Sequence, residues 1–521
     1  MKRCFLFLTL LTFYFNVQSQ SLLLSKDFRL GSPYHEPDGR NDIVRLAGGD
    51  FITLAKVKGN LTGKSDFVLE RYDRELNMKW QTPLTVETFE DYKEVFYNGK
   101  DAVILSVIHN EDAKTTKLEA YGYDVNTGTK TWTKELESNQ VGDWMNSEHK
   151  AKVKESFIDV ICEHTNKNFV TPFEYKHNIR FSPDESKFLS YVYNYGEKSL
   201  TATVSIYDNQ GTLLKRGKVT IDNDYISQGM YINNRGELFI LNASKGGKLN
   251  VIRYDLDTKE FLLLELPPSA FGKDDFHVYF YNDDEMYVGN TLVNSMDGTV
   301  KGVMYSKFEF DKNEVSESTL HLWTESDRQL IAAARKGNKQ VKGDEDFKDY
   351  DFTHFIVHKQ EQVILVLERR SLYADGYPHI SRGAFEEAHQ MEIMGHVQAE
   401  GVIMIAFDKE DQFKWFNYIA KNQIYAANDG LNTISFVLQE TKNTLRVLYV
   451  TSANFDASYD TMNMLEVDKN TGKTLKSANL PNDQKLVLVK DYTLWLDNDE
   501  IVVVGKKGLL GKASAINKYK L

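Results

Sequence analysis

The sequence predicts an all-β fold, a single β-propeller made of four-stranded antiparallel blades. Three observations lead to this prediction. A strand–Asp–turn–strand pattern recurs seven times along the 521 residues, and each copy follows another pair of predicted strands. Aromatic residues make up 12% of the chain, which favours strands. Two strands plus two strands per repeat are typical of propeller blades, and the short spacings between copies, such as 51 and 47 residues, match the period of a blade, whereas the long spacings of 84 and 97 require insertions.

The N-terminal segment has the features of a secretory signal peptide. Lys2 and Arg3 precede an apolar run from Phe5 to Phe15, which is followed by a short polar stretch. The run is too short to span a bilayer as a helix, and no later stretch approaches 18 apolar residues. We expect cleavage after Ser19, with a buried N-terminal helix or an uncleaved anchor as the alternatives.

The mature chain, residues 20–521, is expected to form one propeller domain that is exported to the periplasm or the extracellular space. After cleavage Cys162 is the only cysteine, so an internal disulfide is excluded. The 63 basic and 75 acidic residues give a formal net charge of −12, which argues against a nucleic-acid partner.

The repeated turn has a simple chemical basis. An Asp side chain accepts hydrogen bonds from backbone N–H groups of the turn, and a Gly that follows supplies a positive φ, as we expect at Gly128, Gly211 and Gly472. A calcium loop is the rival interpretation, but the later ligands of a twelve-residue loop are missing. The anchoring residues are Asp73, Asp124, Asp208, Asp255, Asp311, Asp408 and Asp468.

The two ends of the chain are expected to complete one blade together. The C-terminal segment supplies three strands and stops after Tyr519 and Lys520, where the aromatic–Asp pair of the repeat is due. The segment Ser21 to Leu30 can supply the fourth strand, which would close the ring and remove an open sheet edge. This count gives eight blades; seven blades plus a separate sheet is the alternative.

Several repeats resemble known propeller families. LEAYGYDVNTGTKTW, which ends at Trp132, and MLEVDKNTGKTL, which contains Asp468, are similar to the blade repeats of quinoprotein-type propellers. RFSPDESKFLSYV, around Pro183, resembles the hairpins of WD40-like periplasmic propellers. These resemblances cover nearly all of the mature chain and imply a propeller fold.

Three segments interrupt the strand rhythm, at about 143–171, 323–351 and 371–400. Helical patterns lie in each: Val153, Phe157 and Ile161 share one face in the first. In the second, Thr324 is the expected N-cap with Asp327 three residues later, and Gly337 the stop. The third is expected to hold a short helix from Ala384 to Met394. Insertions on propellers usually lie on one face, where partners bind.

The third insertion contains the one cluster with metal-binding chemistry. His379, His389 and His396 lie within 18 residues, beside Glu386. Imidazole and carboxylate groups suit a divalent transition metal, but surface histidines without a ligand are the alternative. No HExxH, GxSxG or P-loop motif is present, and no cofactor is assigned.

Three functions are compatible with these features. The first is an exported, non-enzymatic binding or scaffold module for a protein or glycan partner, which the lack of a recognisable catalytic set favours. The second is a propeller hydrolase or lyase that uses the His/Glu-rich insertion 371–400. The third is an envelope assembly factor. The sequence leaves the question of enzymatic activity open.

Overall fold

The computed structural model of the chain describes most of residues 21–521. The described residues are 21–28, 43–59, 65–86, 90–110, 115–140, 177–195, 199–222, 225–244, 249–266, 272–293, 299–316, 318–334, 350–358, 361–374, 377–380, 395–421, 423–426, 436–451, 461–482, 486–497, 499–507 and 514–521.

The described strands form eight antiparallel sheets, which confirms the predicted propeller and its eight blades. Blades 1 to 4 follow one another along the chain, each with four strands in consecutive order. Blade 1 contains β2 (Ile43–Arg45), β3 (Phe51–Gly59), β4 (Ser65–Tyr72) and β5 (Met78–Val86); blade 2 contains β6 (Glu90–Tyr97), β7 (Asp101–Asn110), β8 (Thr115–Asp124) and β9 (Lys130–Gln140); blade 3 contains β10 (Asn178–Phe181), β11 (Lys187–Tyr195), β12 (Ser199–Asp208) and β13 (Leu213–Asp222); blade 4 contains β14 (Tyr225–Ile232), β15 (Leu238–Ser244), β16 (Leu249–Tyr254) and β17 (Phe261–Glu265).

Blades 5 to 8 keep the same plan with local additions. Blade 5 contains β18 (Gly272–Phe280), β19 (Glu285–Val293), β20 (Val300–Glu309) and an outer strand in two pieces, β21 (Glu314–Val315) and β22 (Thr319–Leu322), followed by the helix α1 (Glu325–Ala334); blade 6 contains β23 (Tyr350–His358), β24 (Gln362–Ala374), β25 (Tyr377–Ile380), β26 (Gly395–Asp408), β27 (Phe413–Ile419) and β28 (Gln423–Ala426); blade 7 contains β29 (Phe436–Glu440), β30 (Thr444–Thr451), β31 (Thr461–Asp468) and β32 (Thr474–Leu480); blade 8 contains β33 (Leu486–Leu488), β34 (Leu494–Trp495), β35 (Glu500–Lys507), β36 (Ser514–Lys520) and β1 (Ser21–Phe28).

Strand β1 closes the ring, as the sequence predicts. It pairs antiparallel with β36, from Ser21 opposite Lys520 to Phe28 opposite Ser514. Leu24 packs into the cluster between blades 8 and 1. The last blade is therefore held by strands from the two ends of the chain, and β36 is paired along both of its edges.

Six of the seven anchoring aspartates, all except Asp311, act as expected. The Asp124 side chain accepts hydrogen bonds from the backbone N–H groups of Asn126 and Thr127 at 3.0 and 2.9 Å, and Gly128 has a φ of +70°. Corresponding carboxylate-to-backbone bonds are present at Asp73, Asp208, Asp255, Asp408 and Asp468. These bonds satisfy turn donors locally and set the hairpins of the repeat.

A tryptophan on the outer strand of one blade docks onto the turn of the next blade at two junctions. Trp80 donates from Nε1 to the Val125 carbonyl at 2.8 Å, and its ring covers Gly128. Trp415 covers Gly472 in the same way. A Cβ at Gly128 would lie only 2.6 Å from the indole, and a Cβ at Gly472 only 2.5 Å. Glycine is therefore required at both positions for two reasons, the positive φ and the close approach of the tryptophan ring.

The ring has two different faces. In an antiparallel blade, the turn between the first two strands and the turn between the last two lie on one side, which we call the turn face. The connection between the middle strands and the link to the next blade lie on the other side, the insertion face. Hydrogen bonds near the turn face join each pair of neighbouring blades: Trp80–Val125, Asn98–Gln210, Lys187–Asn234, Asn234–Asp283, Tyr305–Asp411, Trp415–Lys469, Gln439–Asp497 and Arg74–Glu500.

Candidate functional site

The three interruptions of the strand rhythm belong to connections on the insertion face. The first joins β9 to β10, from blade 2 to blade 3, and the second joins blade 5 to blade 6. The third joins the two middle strands of blade 6, β24 and β26. Residues 141–176, 335–349 and 381–394, with Cys162, Gly337 and the helix expected from Ala384 to Met394, lie outside the described residues.

Blade 6 continues beyond the ring on the insertion face. β24 and β26 stay paired past the regular blade, from Arg370 opposite Ala399 to Ala374 opposite Gly395. β25 pairs with the other edge of β24, and β28 pairs with β26. We call this second four-stranded tier the blade-6 extension (370–374, β25, 395–399 and β28). At about 3.4 Å per residue it reaches roughly 15 Å beyond the regular blade.

The extension differs from the sequence-based picture of an insertion that starts at Ser371 and ends at Glu400. The backbone on both sides continues the strands, so that the connection between them covers only 375–394. A bulge marks the start of the extension, where Gly401 has a φ of +83° and lies against Tyr418. A Cβ at Gly401 would be 2.1 Å from the Tyr418 hydroxyl, so a side chain is excluded there.

A buried ionic cluster lies at the root of the extension. The Glu368 carboxylate contacts Lys421 and, at 2.6 Å, the Arg370 guanidinium. Lys421 also donates to Gln423 Oε1 at 2.6 Å, and its side chain and that of Glu368 are completely buried. Lys421 lies between β27 and β28, and Gln423 is the first residue of β28, so the cluster ties the start of β28 to β24.

Electrostatics keep this cluster charged. Burial alone would raise the pKa of Glu368, but Arg370 and Lys421 outweigh burial and lower the pKa to about 2. Burial lowers the pKa of Lys421, and the Glu368 carboxylate limits that shift. Because a buried charge without a partner is very unfavourable, these side chains constrain one another to a single arrangement.

A second ion pair extends the root. Arg369 Nη1 donates to Glu400 Oε2 at 2.8 Å, and Gln398 donates to the other oxygen of Glu400 at 2.8 Å. The bulged strand is therefore fixed by charged side chains from both central strands of the blade. The extension begins from a rigid base.

Two of the four proposed metal ligands lie on described strands of blade 6. His379 lies on β25 and His396 on β26, so the two flank β24 on opposite sides. Glu386 and His389 lie outside the described residues. Within the described ranges, no group of three or more His, Cys, Asp or Glu side chains is placed to hold a metal ion. The metal site at 371–400 stays a prediction.

Sequence reasoning missed a buried polar cluster between blades 2 and 3. Glu137 on β9 accepts from Ser205 at 2.9 Å and lies 3.1 Å from His177 Nδ1, which is also 3.0 Å from Ser190 Oγ. Burial opposes ionisation of Glu137, but these bonds outweigh it and lower its pKa. Ser190 and Glu137 share the same imidazole nitrogen, whereas a nucleophilic triad needs them on opposite nitrogens. This cluster therefore satisfies a buried carboxylate and does not form a triad.

The helix that follows blade 5 begins as predicted. Asp327 N donates to Thr324 Oγ1 at 3.2 Å, and the Asp327 carboxylate accepts from the Thr324 backbone N–H at 2.8 Å. The structure adds His321, whose Nε2 lies 2.9 Å from Asp327. His321 lies on β22, and no local sequence pattern indicated its contact with Asp327. In the described part of the chain, no helix has the length and hydrophobicity needed to cross a bilayer.

Comparisons with known proteins do not assign the chain to a family. No protein-family model matches the chain, and no curated protein sequence matches it. Among solved structures, Sqt1 from Saccharomyces cerevisiae is 7% identical with a TM-score of 0.45, over 94% of this chain and 97% of Sqt1. The polysaccharide lyase Uly1 is 9% identical with a TM-score of 0.40, over 96% of this chain and 100% of Uly1. An apocarotenoid oxygenase from Synechocystis is 9% identical with a TM-score of 0.35, over 88% and 94% of the two chains.

Proposed function

We propose that this protein is an exported binding or scaffold module that recognises a protein or glycan partner on its insertion face. The blade-6 extension carries the proposal. It projects from a closed ring, its base is fixed by the buried Glu368–Lys421–Arg370 cluster, and the connection 375–394 starts and ends at its far end, at Ala374 and Gly395. Recognition segments on a rigid scaffold are a common way to combine specificity with stability.

The central test removes the connection and keeps its base. Ala374 and Gly395 are directly paired, so an Asn-Gly turn in place of 375–394 closes the two strands as a tight hairpin. We expect the shortened protein to fold and to lose its partner. Cross-linking in envelope extract and an array of defined glycans measure binding by the parent and the variant.

A matched control changes the outer strand of another blade. Leu475 is 60% exposed on β32, and Leu475→Ser should leave partner binding unchanged. Partners that both variants retain, or that both lose, would contradict recognition by the blade-6 extension. Failure of the parent to bind any protein or glycan would contradict the binding role itself.

Export forms part of the proposal and has its own test. The basic residues and short apolar run at the N-terminus motivate it. We expect intact-mass measurement of exported protein to show loss of residues 1–19. Exported protein that retains Met1 would contradict cleavage, and protein that stays in the cytoplasm would contradict export.

A further inference from the structure

Blade 4 departs from the other blades at one position of the repeat. Elsewhere the residue directly before the anchoring position is buried, with at most 5% of its surface exposed: Tyr72, Tyr123, Tyr207, Phe310, Phe407, Val467 and Tyr519. The corresponding residue of blade 4 is Tyr254, which is only partly buried. One side of its ring packs on the core between blades 3 and 4, so the exposed side is held in place.

The cross-strand partner of Tyr254 is also open to solvent. Phe261 lies directly opposite Tyr254 across β16 and β17, so the two rings leave the same face of the sheet. Phe261 is 65% exposed, more than any other described large hydrophobic residue. In blade 6, Phe413 holds the same position opposite Phe407, and His321 stacks on it with centroids 4.2 Å apart. In the described part of the chain, no ring stacks on Phe261.

These two aromatic residues line a groove of about 390 Å³. Its walls carry charges of both signs, from Lys215 of blade 3 and from Glu237, Arg253 and Glu260 of blade 4. Arg253 and Glu260 form no ion pair among the residues the structure describes. The volume falls within the usual range of small-ligand sites.

We propose that this groove binds a saccharide, with a pyranose ring stacked on Tyr254 and Phe261. The C–H face of a pyranose is apolar and matches an aromatic surface, whereas its hydroxyls both donate and accept hydrogen bonds. Arg253 and Lys215 supply donors, and Glu237 and Glu260 supply acceptors. A wholly apolar ligand would desolvate Arg253 and Glu260, which form no ion pair among the described residues, without offering them partners. The groove lies near the turn face, so the proposal does not depend on recognition by the blade-6 extension.

The test uses an array of defined oligosaccharides that contain neutral hexoses, N-acetylhexosamines and uronic acids, followed by calorimetry with the strongest binder. Phe261→Ser removes the exposed ring of the platform, and we expect affinity to fall by about tenfold or more. Met78 holds the same repeat position opposite Tyr72 in blade 1 and is 49% exposed. Met78→Ser should bind as the parent does, and both variants should melt like the parent because the changed side chains are exposed.

Four results would overturn the proposal. They are no saccharide binding by the parent, equal binding by Phe261→Ser, equal loss in Met78→Ser, or a Phe261-dependent ligand that is a peptide or a flat aromatic molecule. The protein with 375–394 replaced separates the two proposals, because saccharide binding at this groove should survive that replacement. Saccharide binding that is lost there and kept in Phe261→Ser would place the sugar on the insertion face instead.

Discussion

The turn face and the insertion face use the same strands for different purposes. On the turn face, aspartates satisfy the backbone of short turns, and hydrogen bonds join each blade to the next. On the insertion face, the described strands of blade 6 run on into a second tier with its own buried charges. The residues that repeat along the chain hold the ring together. The segments that interrupt the repeat leave from the opposite side, where added length does not disturb the blades.

Ring closure should give the largest effect, because both faces depend on it. Deletion of residues 21–28 exposes the edge of β36 and removes seven paired positions. At about 1 kcal/mol per hydrogen bond, we expect a loss of roughly 5 kcal/mol and increased aggregation, measured by calorimetry and light scattering. Lys26→Met is the matched control, since it removes only the bonds to Leu76 and Asn77. A truncated chain that melts like the parent would show that β1 does not close the ring.

The root of the blade-6 extension should be the next most sensitive point. Lys421→Met leaves Glu368 buried without one of its two cations, and we expect a cost of about 3–5 kcal/mol in urea unfolding. The exposed pair Lys117–Glu135 on blade 2 is the control. Lys117→Met should leave the urea unfolding midpoint nearly unchanged, because exposed ion pairs contribute little to stability. Similar costs for the two variants would mean that the root cluster is no more constrained than a surface pair.

Two glycines separate turn strain from blade docking on the turn face. Gly99 has a φ of +95°, and no other atom lies within 4 Å of the position that a Cβ would occupy there. Gly472 has a φ of +68°, and a Cβ there would lie 2.5 Å from the Trp415 ring. Gly99→Ala should cost about 1 kcal/mol from backbone strain alone. Gly472→Ala should cost roughly 2 kcal/mol more, because the indole must move. Equal losses in denaturant unfolding would refute tryptophan docking as a stabilising contact.

The smallest expected effect is the pH dependence of stability that comes from His277 on β18, the first strand of blade 5. Burial and nearby Arg180 lower the pKa of His277 to about 4, below the unfolded value of about 6.5. At pH values between 4 and 6.5 the unfolded chain therefore binds more protons than the folded chain. The stability that the neutral His277 side chain contributes is complete above pH 6.5 and is lost as pH falls towards 4, by about 1 kcal/mol per pH unit. His277→Phe keeps a ring against Phe352 and should flatten the acid side of the stability profile. Because burial also lowers the pKa of His354 to about 4, the slope should shrink without vanishing. An unchanged slope would exclude His277 as a source of acid sensitivity.

Local chemistry explains which features could be predicted. Asp124 bonds to backbone groups two and three residues away, and Thr324 caps a helix together with a residue three positions later. Such contacts leave a short pattern in the sequence. Glu368 and Lys421 are 53 residues apart, and Glu137 and Ser205 are 68 apart, so no local pattern marks them. The open pair Tyr254 and Phe261 is hidden for another reason: its residue types match the repeat, and only its burial differs.

The blades and the closure of the ring by β1 followed from the sequence alone, because alternation, turn residues and repeat spacing act within each hairpin. The sequence left the number of blades open between eight and seven, and the folded chain has eight. Three other features came only from the folded chain: which glycine a tryptophan covers, which carboxylate meets Lys421, and which aromatic pair stays uncovered. Those outcomes depend on how neighbouring blades pack. A buried charge or an exposed ring is defined by what surrounds it in space, and the surrounding groups come from distant parts of the chain.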